Sequence, residues 1–156
     1  MKIYFASDHA GFELKGKLIP FVEKLGHEIR DLGPGKFDAE DDYPIFIEKV
    51  GMEIFKDPEN SRAIILGASG QGEAIVANRF PNVRAVVFYG YDTKILKLSR
   101  EHNDANILSL GVKFISKKEA EEAIKLWLET PFSGDKRHLR RLKEIDKLEE
   151  SLYINP

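Results

Sequence analysis

Residues able to do chemistry gather in four short segments of the chain. The first is Ser7-Asp8-His9-Ala10-Gly11, where a carboxylate and an imidazole stand side by side at a helix start. Such a pair holds sugar hydroxyls or an anion; in the plainer reading Asp8 caps a helix and His9 is solvated. The second is Gly67-Ala68-Ser69-Gly70-Gln71-Gly72-Glu73. Gly67, Gly70 and Gly72 permit a tight, partly left-handed backbone whose N–H groups converge on one spot, a cradle for a developing oxyanion. Glu73, at the end of that cradle, has the position of a base. Moving a proton at the C2 of an aldose needs a base, with donors beside it to hold the enediolate oxygens. A helix-start glutamate facing the helix dipole is the competing reading. Burial would raise its pKa and the helix terminus would lower it. The third segment, Arg137-His138-Leu139-Arg140-Arg141, puts Arg137 and Arg141 one helical turn apart. That spacing suits a bidentate phosphate clamp, or a solvated face pairing with Glu144 and Asp146. The fourth, His102-Asn103-Asp104, precedes a strand and so lies at the amino end of a sheet. A catalytic His102 is therefore expected to reach the site of a neighbouring subunit.

Two nucleotide readings of the glycine loop fail. A P-loop ends in Gly-Lys-Ser/Thr, whereas Gly72 is followed by Glu73-Ala74. A dinucleotide fingerprint follows the first strand, where this chain has Ser7-Asp8-His9-Ala10-Gly11. With no cysteine there is no disulfide, thiolate ligand or cysteine base. The four histidines are scattered and none forms HExxH, so no metal site is expected, and His27 reads as structural. A net charge of −2 argues against broad nucleic-acid binding. No apolar run reaches membrane-spanning length and the amino-terminal segment is too short for a signal peptide, so a cytoplasmic address is expected.

The elements that must position these segments are legible as alternating strands and helices. Strands are expected at Lys2–Ala6, His27–Asp31, Arg62–Leu66, Val83–Phe88 and Ala105–Leu110. Helices are expected over Phe12–Leu25, with Pro20 inside as a kink, and from Pro44 to about Lys56 after an acidic loop at Lys36–Asp42. Others begin near Glu73, span Thr93–Glu101, and run from a Ser116/Glu119 capping box to Leu128, with a last charge-rich helix at Lys136–Ser151. This alternation implies one α/β domain over 1–156, with a parallel sheet covered on both faces and ligands beyond the carboxyl ends of its strands.

Read together, these segments resemble a known family, the ribose-5-phosphate isomerases of type B, which share a superfamily with galactose-6-phosphate isomerases. The resemblance spans essentially the whole chain: SDHAGFELK at the start, DYP at 42–44, the glycine loop with IVANR, REHNDANILSLG at 100–111 and RHLRR at 137–141. It implies a Rossmann-like three-layer α/β/α subunit with a five-stranded parallel sheet, working as a homodimer or homotetramer without metal or other cofactor. Helix 136–151 would then pack at the subunit interface. Asp8 and His9 look like the family's sugar- and phosphate-contacting pair, and Tyr43 like a further substrate contact. Ser69 and the backbone of Gly67, Gly70 and Gly72 resemble the anion hole. His102 matches the ring-opening histidine, with Asn103 beside it, both supplied by the partner subunit; Arg137 and Arg141 match the phosphate clamp. Many members carry a cysteine base where this chain has Gly67. Another branch has a GGSGNGE-like loop with a glutamate base, and Glu73 falls on it. Lys113 stands where that branch tends to have arginine, keeping the charge without the planar fork. The implied activity is interconversion of ribose 5-phosphate and ribulose 5-phosphate. Isomerisation of galactose 6-phosphate, allose 6-phosphate or a tetrose phosphate is the alternative, as is a sugar-phosphate binding protein without catalysis.

Overall fold

The computed structural model describes residues 1–154, so the last two residues of the expected 1–156 domain lie outside the described part. Five strands and six helices alternate: β1 Lys2–Ser7, α1 His9–Lys24, β2 Glu28–Asp31, α2 Pro44–Lys56, β3 Ser61–Gly67 and α3 Gln71–Ala77. Then follow β4 Ala85–Phe88, α4 Lys94–Glu101, β5 Ile107–Gly111, α5 Lys117–Glu129 and α6 Lys136–Ile154. The strands form one parallel sheet in the order β2-β1-β3-β5-β4.

Alternation along the strands builds two cores, one on each face, because successive side chains point to opposite sides. Ile3, Phe5, Ile64, Leu66, Leu108 and Leu110 pack with Leu18 and Val22 of α1 and with Ile124 and Trp127 of α5. Tyr4, Ala6, Ala63, Ile65 and Ile107 face the other way, onto Ile47, Val50 and Ile54 of α2 and Ala77 of α3. The central strands are thus buried on both sides, as parallel sheets require. The expected three-layer α/β/α architecture with five parallel strands is what the chain adopts.

Boundaries differ where side chains replace backbone partners. β4 begins at Ala85 rather than Val83, because the Asn106 side chain accepts the Arg84 N–H at 2.8 Å and Asn78 takes the Ala85 N–H at 2.7 Å. α1 starts at His9, three residues before the expected Phe12, with Asp8 as its N-cap, and continues through Pro20 as one element. Gly11 sits in its first turn because a Cβ there would come within 2.6 Å of Leu66 Cβ. The Ser116/Glu119 capping box of α5 is present in both directions.

The order β2-β1-β3 has a consequence for function. From β1 the chain turns to one side to add β2, and β3 returns to its other side. The carboxyl ends of β1 and β3 therefore flank a topological switch point, where a crevice opens between diverging connections. Ser7 pairs with Leu66, so the two segments that follow, Asp8-His9 and the glycine loop, emerge side by side.

Candidate active site

Asp8 is buried and uses a side-chain oxygen to accept the Gly11 N–H at 3.2 Å. His9 next to it is half-exposed, and a residue outside every expected site group holds it. Asp41 Oδ1, on the loop before α2, accepts the His9 backbone N–H at 2.9 Å and lies 2.8 Å from His9 Nδ1. That hydrogen bond, the strongest influence on the ring, raises the His9 pKa above the ordinary histidine value, against the effect of desolvation.

Across the switch point the glycine loop is locked by its own backbone and by β5. Val112 and Lys113 donate their N–H groups to Gly67 O and Ala68 O at 2.9 and 3.1 Å. Gly70 adopts a left-handed φ of 76°, and the buried Ser109 hydroxyl donates to its carbonyl at 2.6 Å. Ser69 Oγ faces the start of α3 and accepts the Gln71 N–H at 3.3 Å. Lys113 is exposed at this same carboxyl end.

Glu73 lies in the first turn of α3, only 4% exposed, with its carboxyl packed against the bare backbone of Gly67. A Cβ at position 67 would overlap that carboxyl, so glycine there is the condition for the glutamate to occupy this place. The contest left open by sequence resolves in favour of burial. Desolvation raises the Glu73 pKa above the usual carboxylate value; its own backbone N–H pulls the other way, and the charge of Asp8 adds to the rise. Tyr43, at the N-cap of α2, lays its ring on Gly72, where a Cβ would stand 2.9 Å from the Tyr43 hydroxyl. Asp8, His9, Tyr43, the cradle and Glu73 thus converge.

His102, Asn103, Arg137 and Arg141 do not join them within one chain. His102 caps the carboxyl end of α4 at the amino end of the sheet, as its place before β5 requires. Its ring stacks on His138 of α6, centroids 4.2 Å apart and planes 17° from parallel. Arg137 Nε donates to His138 Nε2 at 3.3 Å, and both Arg137 and Arg141 are exposed. Burial, followed by the neighbouring His102 and Arg137, pushes the His138 pKa down. The turn carrying His102 and the exposed Asn103 is fixed by Asp104, at a positive φ of 45°, paired with Arg84 at 3.0 Å and Arg100 at 2.8 Å. The chain therefore carries two separate polar clusters, a buried carboxyl beside a glycine turn at one end of the sheet and an imidazole–guanidinium cluster at the other. Asp41, Ser109 and His138 are the supporting residues that sequence reasoning passed over. Among the described residues no group of three or more His, Asp or Glu side chains is arranged to hold a metal ion.

An α/β domain with a buried carboxylate above a glycine cradle at its switch point is the build of a proton-transfer enzyme. The sequence profile described as Ribose/Galactose Isomerase matches residues 3–145. A ribose-5-phosphate isomerase B of Mycolicibacterium paratuberculosis is 38% identical over 156 residues, covering 100% of this chain and 96% of the relative. Among solved structures, ribose-5-phosphate isomerase B of Mycoplasma genitalium with bound ribulose-5-phosphate superposes with a TM-score of 0.91 at 32% identity, covering 96% of each chain. The Clostridium thermocellum ribose-5-phosphate isomerase B gives a TM-score of 0.89 at 38% identity, covering 97% of this chain and 99% of the other. The chain belongs to the ribose/galactose isomerase family.

Proposed function

We propose that this chain interconverts ribose 5-phosphate and ribulose 5-phosphate through an enediolate, with Glu73 as the base. The observation that carries the reading is the Glu73 carboxyl, buried and raised in pKa against Gly67 at the glycine turn between β3 and α3. A carboxylate so placed takes the C2 proton readily and returns it to C1, because its conjugate acid is stable in the same pocket. Ser69 and the loop backbone hold the oxyanion while Asp8 and Tyr43 orient the hydroxyls. A homologue in the family was solved with ribulose-5-phosphate bound, and the relatives similar over the whole chain carry the same activity in their names.

The second half of the site comes, in this reading, from a partner subunit. His102 moves the proton that opens the furanose ring, with Asn103 alongside, and Arg137 and Arg141 clamp the phosphate toward His9 and Lys113. The working unit is then a homodimer or a pair of dimers, in the cytoplasm. Among the described residues no helix is long and apolar enough to cross a membrane.

The test is turnover of an aldose-phosphate panel (pentose, hexose and tetrose) in the presence of EDTA, with deuterium uptake from solvent at C2 followed by NMR. Ribose 5-phosphate is expected to turn over and to exchange, with the chelator present. Binding without exchange would make the protein a sugar-phosphate carrier, and preference for a six-carbon substrate would move it to the galactose side of the family.

A further inference from the structure

Asp41 lies on the connection between β2 and α2, which crosses the top of α1. Phe37 of that connection packs edge-on against Phe12 of α1, with ring centroids 6.0 Å apart, and Pro34 O accepts from Lys15 Nζ at 3.0 Å. The loop is thus pinned on the helix whose first residue is His9, and it delivers a carboxylate whose side chain is only 5% exposed. A carboxylate held that far from water needs a countercharge or several donors. Its Oδ1 receives the His9 backbone N–H and faces His9 Nδ1, while Oδ2 is buried with no hydrogen-bond partner among the described residues. Among the described residues, the ionisable group paired with it is the His9 ring.

We propose that Asp41 is a positioning residue: it fixes the His9 imidazole with Nδ1–H turned inward and Nε2 toward the crevice, and keeps it cationic to meet the substrate phosphate. The orientation follows from the acceptor. A carboxylate at 2.8 Å selects the proton on Nδ1 and so commits Nε2 to the open side. The charged groups that act on His9 are Asp41 from the loop and Asp8 at the α1 cap, both acidic, and both favour its protonated form. A cation at this point matches a ligand whose terminal group is a dianion. The inference rests on the sugar-phosphate reading of the site, and its test separates the two.

Asp41→Asn keeps an oxygen for the His9 backbone N–H but removes the charge. Three quantities decide: the His9 ring titration by NMR, assigned with a His9→Gln reference; the Kd of inorganic phosphate; and KM and kcat for ribose 5-phosphate across pH. In the variant, His9 should titrate at lower pH, and the rise of KM with pH should move down with it. KM near neutral pH should grow roughly tenfold while kcat stays within about twofold, the signature of lost ground-state binding. In a His9→Gln background the Asp41 change should add nothing to KM. Asp41→Glu, which keeps the charge, should hold the His9 titration near that of the wild type, and Asp41→Ser, which also removes the charge, takes the place of the asparagine variant in every comparison if that variant does not fold. An unchanged His9 titration, or additive losses in the double variant, would overturn the proposal. If neither protein turns over ribose 5-phosphate, the activity reading fails while the titration and the phosphate Kd still judge Asp41.

Discussion

The role proposed for Glu73 asks for a carboxylate basic enough to take a carbon-bound proton, and its surroundings act in that direction. Burial in the first turn of α3 raises its pKa, and its own backbone N–H limits the rise. Glu73→Gln keeps the shape and removes the base, so turnover of ribose 5-phosphate is expected to fall by about 10²–10⁴-fold with substrate still bound. The same substitution should stabilise the fold in one pH range only. A carboxyl whose folded pKa lies above its unfolded value holds its proton more tightly in the native state. Wild-type stability is then eroded as pH rises from the ordinary glutamate pKa through the folded one, and above it the penalty is complete. Calorimetry should show Glu73→Gln with a higher Tm than wild type at about pH 8 and a nearly equal one at about pH 4. A lower Tm at the alkaline end would mean that the charged form is stabilised in the pocket and would remove the physical basis for its role. The acid limb of kcat/KM should likewise lie above the usual glutamate range of about 4.3.

The element that makes such a carboxyl possible is the turn between β3 and α3. Gly67 ends the strand with no side chain, and the space a Cβ would fill is taken by the Glu73 carboxyl. A side chain at 67 and a glutamate carboxyl in this position therefore compete for one space. Gly67→Ala should express and fold, since the clash is with a side chain that can move away. Displacing the base by an ångström or more should reduce kcat by roughly 10²-fold. Retained kcat in a folded Gly67→Ala would show that the carboxyl has another productive position. Much of this turn is legible in the sequence, because glycine spacing, a following helix and a glutamate at its start are local signals. So are Pro44 at the first turn of α2 and the Ser116/Glu119 capping box. Asp41 is not legible, because its contact with His9 joins residues 32 positions apart and its sequence neighbours Asp38, Glu40 and Asp42 are exposed acids. The start of β4 escaped for a similar reason: the side chains of Asn78 and Asn106 stand in for ladder bonds, and hydrophobic pattern carries no trace of that. The fold class, set by the period of apolar residues, was the most readable level; supporting contacts made by tertiary folding were the least.

At the scale of the whole molecule, parallel topology decides which of the proposed site residues one chain can bring together. Every strand runs the same way, so a residue just after a strand and a residue just before one stand at opposite ends of the sheet. Glu73 belongs to the first kind and His102 to the second, and His138 ties Arg137 of α6 to the His102 end. The same chain leaves Ile75, Ile95 and Leu98 exposed on α3 and α4, and Leu139, Ile145 and Leu148 on α6, surfaces a second copy would cover. In the proposed dimer the Glu73 of one subunit meets the His102 of the other, and a twofold axis then gives two equivalent composite sites. This arrangement predicts rescue between inactive parents. Glu73→Gln and His102→Asn homodimers should each be nearly inactive on the furanose form of ribose 5-phosphate. When equal amounts are unfolded together and refolded, half the dimers should be mixed, and each mixed dimer should contain one site with both Glu73 and His102 intact. The mixture should then recover about a quarter of the wild-type activity, a value fixed by symmetry and random pairing alone. A mixture no more active than its parents, with mixed dimers verified by mass spectrometry, would place both residues in one subunit's site and break the link between sheet polarity and a shared active site.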